Sequence, residues 1–269
     1  MPLLLKTVEA RHGLRWARDA FGLFMKRPLA FTLMLMAFLF AASVAVYVPL
    51  LGNVLLVAAA PLLSLGFMVA TQSALLGGPV GPSQFIEPLR GDRTKRRSLL
   101  LLCLIYGIAA VAIAALAYSM ISDSALARIE ATAGPEGAPM EDVIAAFSDP
   151  SVQTAKWLAL LLAGLLSVPF WHAPALVHWG AQSVGQALFS STLAVWRCRA
   201  AFGLYGMLWF GLSVALGLVV MFFGLFVALP LGLLMTTVFY VSLLFTFNDS
   251  FGGADLSPLE PLQTLEPPP

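Results

Sequence analysis

The side chains that could perform chemistry in this sequence are few, and their spacing suits none of the familiar reactions. The three histidines are His12, His172 and His178. Six positions (178 − 172) separate the last two, so an unbroken helix would point them about 120° apart. A shared metal or haem site would need a further histidine on another span, and none is present. Cys103 and Cys198 are isolated thiols without CxxC spacing, so neither a disulfide framework nor a metal site is predicted.

The apolar runs of the sequence also lack the groups that catalysis or ion coupling requires. No Asp, Glu, Lys or Arg lies well inside any of these runs, whereas ion-coupled transporters and pumps usually place an ionisable group there. Neither a Walker-type phosphate loop nor an HExxH zinc motif occurs. We therefore predict a protein that is not an enzyme, with no catalytic residue, no bound metal, no cofactor and no nucleic-acid partner.

Composition indicates what must surround these residues. The sequence has 59% hydrophobic and 11% charged residues and a mean hydropathy of +0.88. Water-soluble domains have about 45–50% apolar and about 25% charged residues. Because so few charges cannot cover a soluble fold of this length, the surplus apolar surface must face lipid. The predicted fold class is all-α, a multi-pass transmembrane helix bundle.

The apolar runs divide this bundle into spans, since about 20 apolar residues in a helix cross a bilayer core. The runs are 29–48, 54–76, 99–120, 155–177, 202–221 and 225–247. The short break at Pro49–Asn53 forces the first two runs into a hairpin. Residues 202–247 are about twice as long as one span requires, so a turn is placed near Met221–Gly224. The prediction is six spans arranged as three hairpins within a domain at 29–247.

The distribution of Lys and Arg sets the predicted orientation. Only Arg128 and Lys156 fall outside the clusters that adjoin one side of the membrane. Because basic residues near a span resist translocation, we expect a bacterial inner membrane protein with both termini in the cytoplasm. The first run is too long for a signal-peptide core, so no cleavable signal is expected.

Two segments are predicted to lie outside the spans. The acidic connection 121–153 faces the periplasm and contains a Gly-Pro-Glu-Gly break at 134–137. This break separates two short amphipathic segments, Ser124–Thr132 and Met140–Phe147. Residues 248–269 are Pro-rich and acidic and are predicted to form a disordered cytoplasmic tail.

Residues 1–28 give the strongest local signal, a basic amphipathic helix at the membrane interface. The candidate lipid-contact residues are Arg11, Arg15, Arg18, Lys26 and Trp16. The basic side chains share one arc, and Trp16 belongs to the apolar remainder. Each basic residue near an anionic leaflet contributes about 1 kcal/mol. The alternative is that this charge only fixes topology while the helix packs on the bundle. Residues 183–199 resemble a weaker copy of this helix.

Prolines break several of the predicted spans and could line a cavity or act as hinges. The candidate cavity and hinge residues are Pro61, Pro169, Pro174, Pro230 and His172. The string Trp171–Trp179, which carries both histidines of this region, is interpreted as an interfacial aromatic segment. Pro61 and Pro230 occupy similar positions in the first and third hairpins, which indicates either an internal repeat or a chance likeness. Small residues around Gly107 would permit close packing of the third span, within the chain or in a homo-oligomer.

Several of these motifs together resemble a known family. They are the basic amphipathic N-terminus, Lys26-Arg27-Pro28, the Pro49–Asn53 turn and Trp171-His172-Ala-Pro174-Ala-Leu. As a set they resemble an uncharacterised family of six-span hypothetical inner-membrane proteins from β-proteobacteria and their relatives. The resemblance spans about residues 8–247. It implies an inner-membrane location and six spans, and it brings no activity or site residues.

These observations lead to one functional hypothesis and one alternative. The first is a non-enzymatic scaffold, assembly or envelope-maintenance factor that contacts anionic membrane lipids, with protein partners or a second copy of the chain as further candidates. The alternative is a permease or channel for a small neutral or amphipathic solute. The two differ in the interior of the bundle, which must be packed for a scaffold and hollow or polar for a permease.

Overall fold

The computed structural model describes residues 4–48, 51–132 and 139–252. Within these residues the chain is all-helical and contains no strand, so the predicted all-α class is confirmed. The elements are α1 (His12–Lys26), α2 (Pro28–Val46), α3 (Leu51–Ala58), α4 (Ala60–Leu75), a 3₁₀ helix (Pro82–Phe85), α5 (Glu87–Arg90), α6 (Arg93–Ser119), α7 (Asp123–Thr132), α8 (Met140–Phe147), α9 (Pro150–Phe170), α10 (Ala173–His178), α11 (Val184–Arg197) and α12 (Arg199–Ser250).

Some of the sequence predictions fall outside these residues. The Gly-Pro-Glu-Gly break at 134–137, the beginning of the predicted turn at 49–50 and residues 253–269 of the predicted tail all lie there. The two amphipathic segments on either side of the break are helices, α7 and α8. These two helices pack chiefly against each other.

Local sequence accounts for where the long helices begin. Asp92 precedes α6, and its carboxylate accepts a hydrogen bond from the backbone N–H of Thr94 at 3.3 Å. Asp149 precedes α9 and accepts from both the hydroxyl (2.6 Å) and the backbone N–H (2.9 Å) of Ser151. These bonds satisfy N–H groups that a helix start leaves unpaired. The Ser151 hydroxyl, followed by its N–H, holds the pKa of Asp149 below its ordinary value.

Four helical segments in the described part of the chain are long and apolar enough to cross a membrane. They are α2, α6, α9 continued by α10, and α12. The helices α3 and α4 meet at a bend of 46°. If this bent pair is counted as one crossing, the total becomes five. Pro61, in the first turn of α4, accounts for this bend because proline cannot donate a backbone hydrogen bond. The predicted six spans in three hairpins are not confirmed by this count.

The longest helix, α12, is interrupted at Gly224. This glycine has φ 73° and ψ −179°, a conformation that residues with a Cβ rarely adopt. The interruption falls at the end of the predicted turn Met221–Gly224. On either side of it, the hydroxyls of Tyr205 and Ser242 lie 2.6 Å apart, and the rings of Trp209 and Phe239 are 5.4 Å apart. The two arms of α12, 199–223 and 225–250, therefore lie side by side.

Contacts between distant residues place most of the basic segments at one end of the bundle. The Arg27 guanidinium donates to the carbonyl of Gly77 at 3.3 Å, and the Lys95 ammonium donates to the carbonyl of His178 at 3.0 Å. The backbone N–H of Lys6 donates to the carbonyl of Ser250 at 2.8 Å. This basic end therefore gathers α1, the loops before α6 and α11, and both ends of α12.

The opposite end carries the acidic connection. Arg128 on α7 pairs there with Asp149, and the backbone N–H of Ser122 donates to the Ser151 hydroxyl at 3.1 Å. The chain has fifteen Lys and Arg residues. The sequence assigns only two of them, Arg128 and Lys156, to this end. The charge asymmetry along the sequence is thus also an asymmetry of the folded chain.

The core includes a segment that the sequence analysis placed at the membrane surface. Residues 172–177, in the middle of the Trp171–Trp179 string, are all buried. His172 is fully buried, and its ring is surrounded by Phe202, Phe247 and Phe251 at 5.5–5.8 Å. The middle of this string is therefore core rather than exposed surface, whereas Trp171, His178 and Trp179 at its ends are partly exposed. Aromatic rings and histidines suit a core as well as an interface, and composition does not distinguish the two.

Two further boundaries differ from the predictions. Residues 248–252 were assigned to the tail, but α12 continues to Ser250 and Phe251 is buried. On α6, Gly107 packs against Ala58 of α3 so closely that an added Cβ would lie 2.7 Å from the alanine methyl. This small residue therefore serves packing within the chain rather than between copies.

Candidate functional site

Helix α1 is fixed to α12 by a small polar cluster around Asp249. The indole N–H of Trp16 donates to the Asp249 carboxylate at 2.7 Å, and Nδ1 of His12 lies 2.7 Å from the same oxygen. Trp16 is 1% exposed and contacts the rings of Phe202 and Tyr205 at 5.1 and 5.8 Å. A hydrogen bond to a charged acceptor stabilises a fold by about 1.5–3 kcal/mol. The cluster therefore holds the basic helix against the end of the chain's last described helix.

The same helix approaches the first arm of α12 at backbone distance. A Cβ added to Gly13 would lie 2.3 Å from the carbonyl oxygen of Ala201 and 2.9 Å from the backbone nitrogen of Tyr205. Such a contact is open only to glycine, because any side chain would collide with backbone atoms. Gly13 thus packs α1 against the first arm of α12, and Trp16 bonds it to the second arm. Together these contacts fix which face of α1 points outward.

The outward face of α1 combines basic and apolar side chains. Its exposed residues are Arg11, Leu14, Arg15, Arg18, Phe21, Gly22, Met25 and Lys26. At about 100° per residue, the apolar members occupy one edge of this face and the basic members occupy the centre and the other edge. Leu14, Phe21 and Met25 are 46%, 46% and 55% exposed. This combination of basic and apolar residues is typical of a helix that lies in a membrane interface.

The arginines of this face are held by weak partners. Arg11 pairs with Glu9 at 2.7 Å, and Arg15 and Arg18 pair with Asp19 at 3.2 and 3.3 Å. Both partners in the Arg11 pair are more than two-thirds exposed. Exposed ion pairs of this kind contribute about 0.2–1 kcal/mol. The guanidinium groups can therefore turn to another anion at little cost.

The predicted lipid-contact set is thus divided by the structure. Arg11, Arg15, Arg18 and Lys26 lie on the outward face, whereas Trp16 lies inside the protein and is not available to lipid. The sequence analysis missed the exposed apolar edge formed by Leu14, Phe21 and Met25. The signal was present, because Met25, Leu14 and Phe21 follow the basic arc in that order on a helical projection, but Trp16 was preferred for its residue type.

Helix α11 presents a second exposed aromatic face near the same end. Phe189 and Trp196 are 70% and 69% exposed, and the guanidinium of Arg199 lies 5.9 Å from the Trp196 ring. The thiol of Cys198 donates to the carbonyl of Lys6 at 3.4 Å, so the end of α11 lies beside the segment leading to α1. Trp beside Arg is typical of the level of lipid head groups.

A cavity of about 140 Å³ lies where the bent pair α3–α4 meets α6, α9 and the second arm of α12. Pro61 borders this cavity, as the sequence analysis expected of a proline at a helix break. Pro169, Pro174, Pro230 and His172 do not border it. The lining residues are Ala60, Pro61, Ser64, Tyr106, Ser167, Phe170, Trp171, Phe239, Tyr240 and Leu243.

The remaining hinge candidates have three different environments. Pro169 lies in the last turn of α9, and His172 begins α10 just after the break between the two helices. Pro174 is buried in α10. Pro230 is exposed and lies within a continuous stretch of the second arm of α12. Pro61 marks a bend and Pro230 does not, so the two hairpins differ at the position where the repeat was suspected.

Within the described residues, no group of three or more His, Cys, Asp or Glu side chains comes together to hold a metal ion. Cys103 and Cys198 are both buried and unbridged. In the part of the chain that the structure describes, the features left as candidate sites are therefore the outward face of α1 and the cavity.

Comparison with known proteins identifies one relative. A probable inner membrane protein of Burkholderia thailandensis is 31% identical over 258 residues, which cover 91% of this chain and 93% of the relative. No protein-family profile matches the chain. No solved structure matches it either. The similarity extends over nearly the whole of both chains.

Proposed function

This chain belongs to the same family of inner membrane proteins as its Burkholderia thailandensis relative, and from that premise we propose a non-enzymatic scaffold or envelope-maintenance role. In this role α1 holds anionic lipid of the cytoplasmic leaflet. The observation that supports it is the outward face of α1, with its basic centre and apolar edge. Because Trp16 and Gly13 fix this helix to α12, lipid held by α1 is coupled to the bundle.

We further propose that the chain crosses the membrane six times. The crossings are α2, the bent pair α3–α4, α6, α9 with α10, and each arm of α12. Both ends of the described chain meet at the basic end, where Lys6 contacts Ser250. An even number of crossings requires this arrangement, and the basic end belongs in the cytoplasm because Lys and Arg resist translocation.

Cysteine labelling of intact cells tests this topology. A cysteine replacing Ser148, in the acidic connection, should react with a membrane-impermeant maleimide. A cysteine replacing Arg97, at the basic end, should react only after the cells are opened. Equal labelling of both positions in intact cells would contradict the proposed orientation.

The lipid contact is tested by removing three charges from α1. The Arg11→Gln, Arg15→Gln, Arg18→Gln variant should lose its preference for anionic over zwitterionic lipid in nanodiscs of mixed composition. At about 1 kcal/mol per basic residue, three substitutions weaken the preference by up to about a hundredfold at low salt. Lipid retained by the purified protein, quantified by mass spectrometry, provides the measurement.

A matched variant separates a site on α1 from general charge at the same end. Arg93, Arg96 and Arg97 are exposed in the first turns of α6, and replacing all three with Gln removes the same charge. This control should keep most of the lipid preference. If both triple variants lose equal amounts of anionic lipid, the outward face of α1 is not the site.

The alternative role, a permease or channel, is not the one we propose. The cavity is about 140 Å³, which is the size of a single small ring rather than of a passage. Pro61 is the one proline from the predicted set that borders it. A permease would need a polar route connecting both ends of the bundle, and the lining of this cavity is mainly aromatic and aliphatic.

A further inference from the structure

The cavity between α4, α6, α9 and α12 has the dimensions of one aromatic ring. A dry protein cavity of about 150 Å³ is large enough to bind benzene, and this one measures about 140 Å³. Rings form much of its wall, among them those of Phe170, Trp171 and Phe239. Tyr106 and Phe170 meet edge to face at 5.1 Å. Walls of this kind favour a flat ring as the occupant.

Four residues of the lining carry a hydroxyl group, and those of Tyr106 and Tyr240 have no hydrogen bond within the described residues. The hydroxyls of Ser64 and Ser167 donate within their own helices, to the carbonyls of Pro61 at 2.9 Å and Gly164 at 2.7 Å. Among the described residues, no hydrogen bond involves the phenol of Tyr106 or of Tyr240. Both tyrosines are only partly buried, so their hydroxyls are free to donate to a molecule that enters the cavity. The cavity therefore offers two phenol donors, from α6 and α12, to an acceptor on its occupant.

The position of the cavity along the helices indicates where that occupant comes from. Tyr106 is 13 residues (106 − 93) from the start of α6, which is about 20 Å at 1.5 Å per residue. Tyr240 is 9 residues (249 − 240) before Asp249 on α12, or about 14 Å. Since the hydrocarbon core is about 30 Å thick, the cavity lies near its middle.

The cavity is only partly enclosed, and at this depth the space beside the helices is lipid. Its lining residues Ala60, Ser64, Tyr106 and Ser167 are only partly buried. Helix α12 packs mainly on α1, α2 and α4, whereas α6 and α9 pack on each other. The cavity lies at the junction of these helices, and its partly buried lining residues mark an open side, the lateral cleft. Exposed apolar side chains such as Leu165 and Phe210 (60% and 69% exposed) are available on the helices beside it.

From these features we propose that the cavity binds the head group of a membrane-dissolved quinone-type lipid. Such a molecule is a neutral six-membered ring with carbonyl acceptors and an apolar tail. The ring fills the cavity, the carbonyl oxygens accept from Tyr106 and Tyr240, and the tail leaves through the lateral cleft. This is binding only, and it does not depend on the lipid contact of α1.

The test uses the purified full-length protein in nanodiscs and a benzoquinone that carries a decyl chain. Quinones quench indole fluorescence on contact, and Trp171 lies in the cavity wall. The expected result is a saturable quenching component above the linear background of quinone dissolved in lipid. Trp171→Phe should remove this component, while Trp157→Phe, which removes a 60% exposed indole, should leave it.

Variants then test the hydrogen bonds to the quinone carbonyls and the free volume of the cavity separately. The Tyr106→Phe, Tyr240→Phe double variant keeps both rings and should weaken binding about tenfold or more, because it removes two hydrogen bonds. Ser167→Phe fills the cavity and should abolish the saturable component. Ser213→Phe adds the same ring on the exposed surface of α12 and should have no effect. The triple Gln variant of α1 should also bind normally, which distinguishes this site from the proposed lipid contact.

Four outcomes would overturn the proposal. Quenching that never saturates would show that the quinone only partitions into lipid. Equal behaviour of the Ser167→Phe and Ser213→Phe variants would show that binding occurs elsewhere. Unchanged affinity of the double tyrosine variant, or equal competition by decylbenzene, would show a site for an alkyl chain without recognition of the carbonyl groups.

Discussion

Replacing Trp16 with alanine is predicted to loosen α1 from the rest of the protein. Trp16 is 1% exposed, packs on Phe202 and Tyr205, and donates to Asp249. Truncation of a buried Trp or Phe to Ala destabilises proteins by about 3–5 kcal/mol. The Asp249 carboxylate is one-third exposed and keeps His12 as a partner, so its loss of one donor is partly compensated. The expected cost is therefore near the lower bound, about 3 kcal/mol.

The assay is unfolding of the full-length protein in mixed micelles, with the fraction of sodium dodecyl sulfate as the denaturing variable. Trp196→Ala is the matched control, because this indole is 69% exposed and surface substitutions change stability by about 0.5 kcal/mol or less. Trp16→Phe keeps an aromatic ring and loses only the donor, so it should cost about 1–2 kcal/mol.

The order of these three variants is what the structure predicts. If Trp16→Ala and Trp196→Ala have the same free energy of unfolding, Trp16 does not occupy the buried position between α1 and α12. If Trp16→Phe is as costly as Trp16→Ala, packing against α12 contributes little and the Asp249 hydrogen bond alone fixes the helix.

Two other predictions concern particular positions at opposite ends of the bundle. Gly13→Ala should separate α1 from α12, because the new Cβ would lie 2.3 Å from a backbone carbonyl oxygen, and trypsin should then cut within α1 faster. Gly22→Ala, which meets nothing within 4 Å, should instead slow cleavage or leave it unchanged; a reversed order would contradict the close approach. The folded-state pKa of Asp149 is lowered from 3.8. The ionised carboxylate therefore stabilises the start of α9 fully above pH 3.8, and this stabilisation is lost as the pH falls through the lowered pKa. Amide exchange in the first turn of α9 should therefore accelerate on acidification below about pH 4 more than in the Asp149→Asn variant, and parallel exchange in both proteins would refute this cause.

The sequence predicted the class of the fold because hydropathy is a property of segments. Residues 93–119 and 150–170 are apolar for long enough to form helices that cross a bilayer, whatever they pack against. The two short helices of the acidic connection were likewise foreseen from local amphipathicity. The turn was predicted near Met221–Gly224 because the apolar run 202–247 is about twice as long as one span requires, and the interruption at Gly224 falls within it.

Local patterns were insufficient where a residue type suits two environments. Trp16 and His172 belong to types found at membrane interfaces as readily as in cores. Both are buried, since Trp16 contacts Asp249 across 233 positions of sequence and His172 is surrounded by rings from α12. The end of the fold was misplaced for the same reason, because Asp249 resembled the first charge of a tail rather than the partner of α1.

By itself the sequence determined that this protein is helical, that its apolar helices belong in a membrane and that its basic residues gather on one side. These properties follow from hydrophobicity and charge, which act on each segment independently of its neighbours. Only the tertiary structure decided which face of α1 points outward, that Pro61 alone among the candidate prolines borders the cavity, and that Tyr106 and Tyr240 meet there. Each of these depends on contacts between segments far apart in the chain, and in a sequence so uniformly apolar many such pairings have similar hydrophobic energy. The choice among them comes from close approach at glycine, from single buried polar partners such as Asp249, and from the breaks at which proline removes a backbone hydrogen bond.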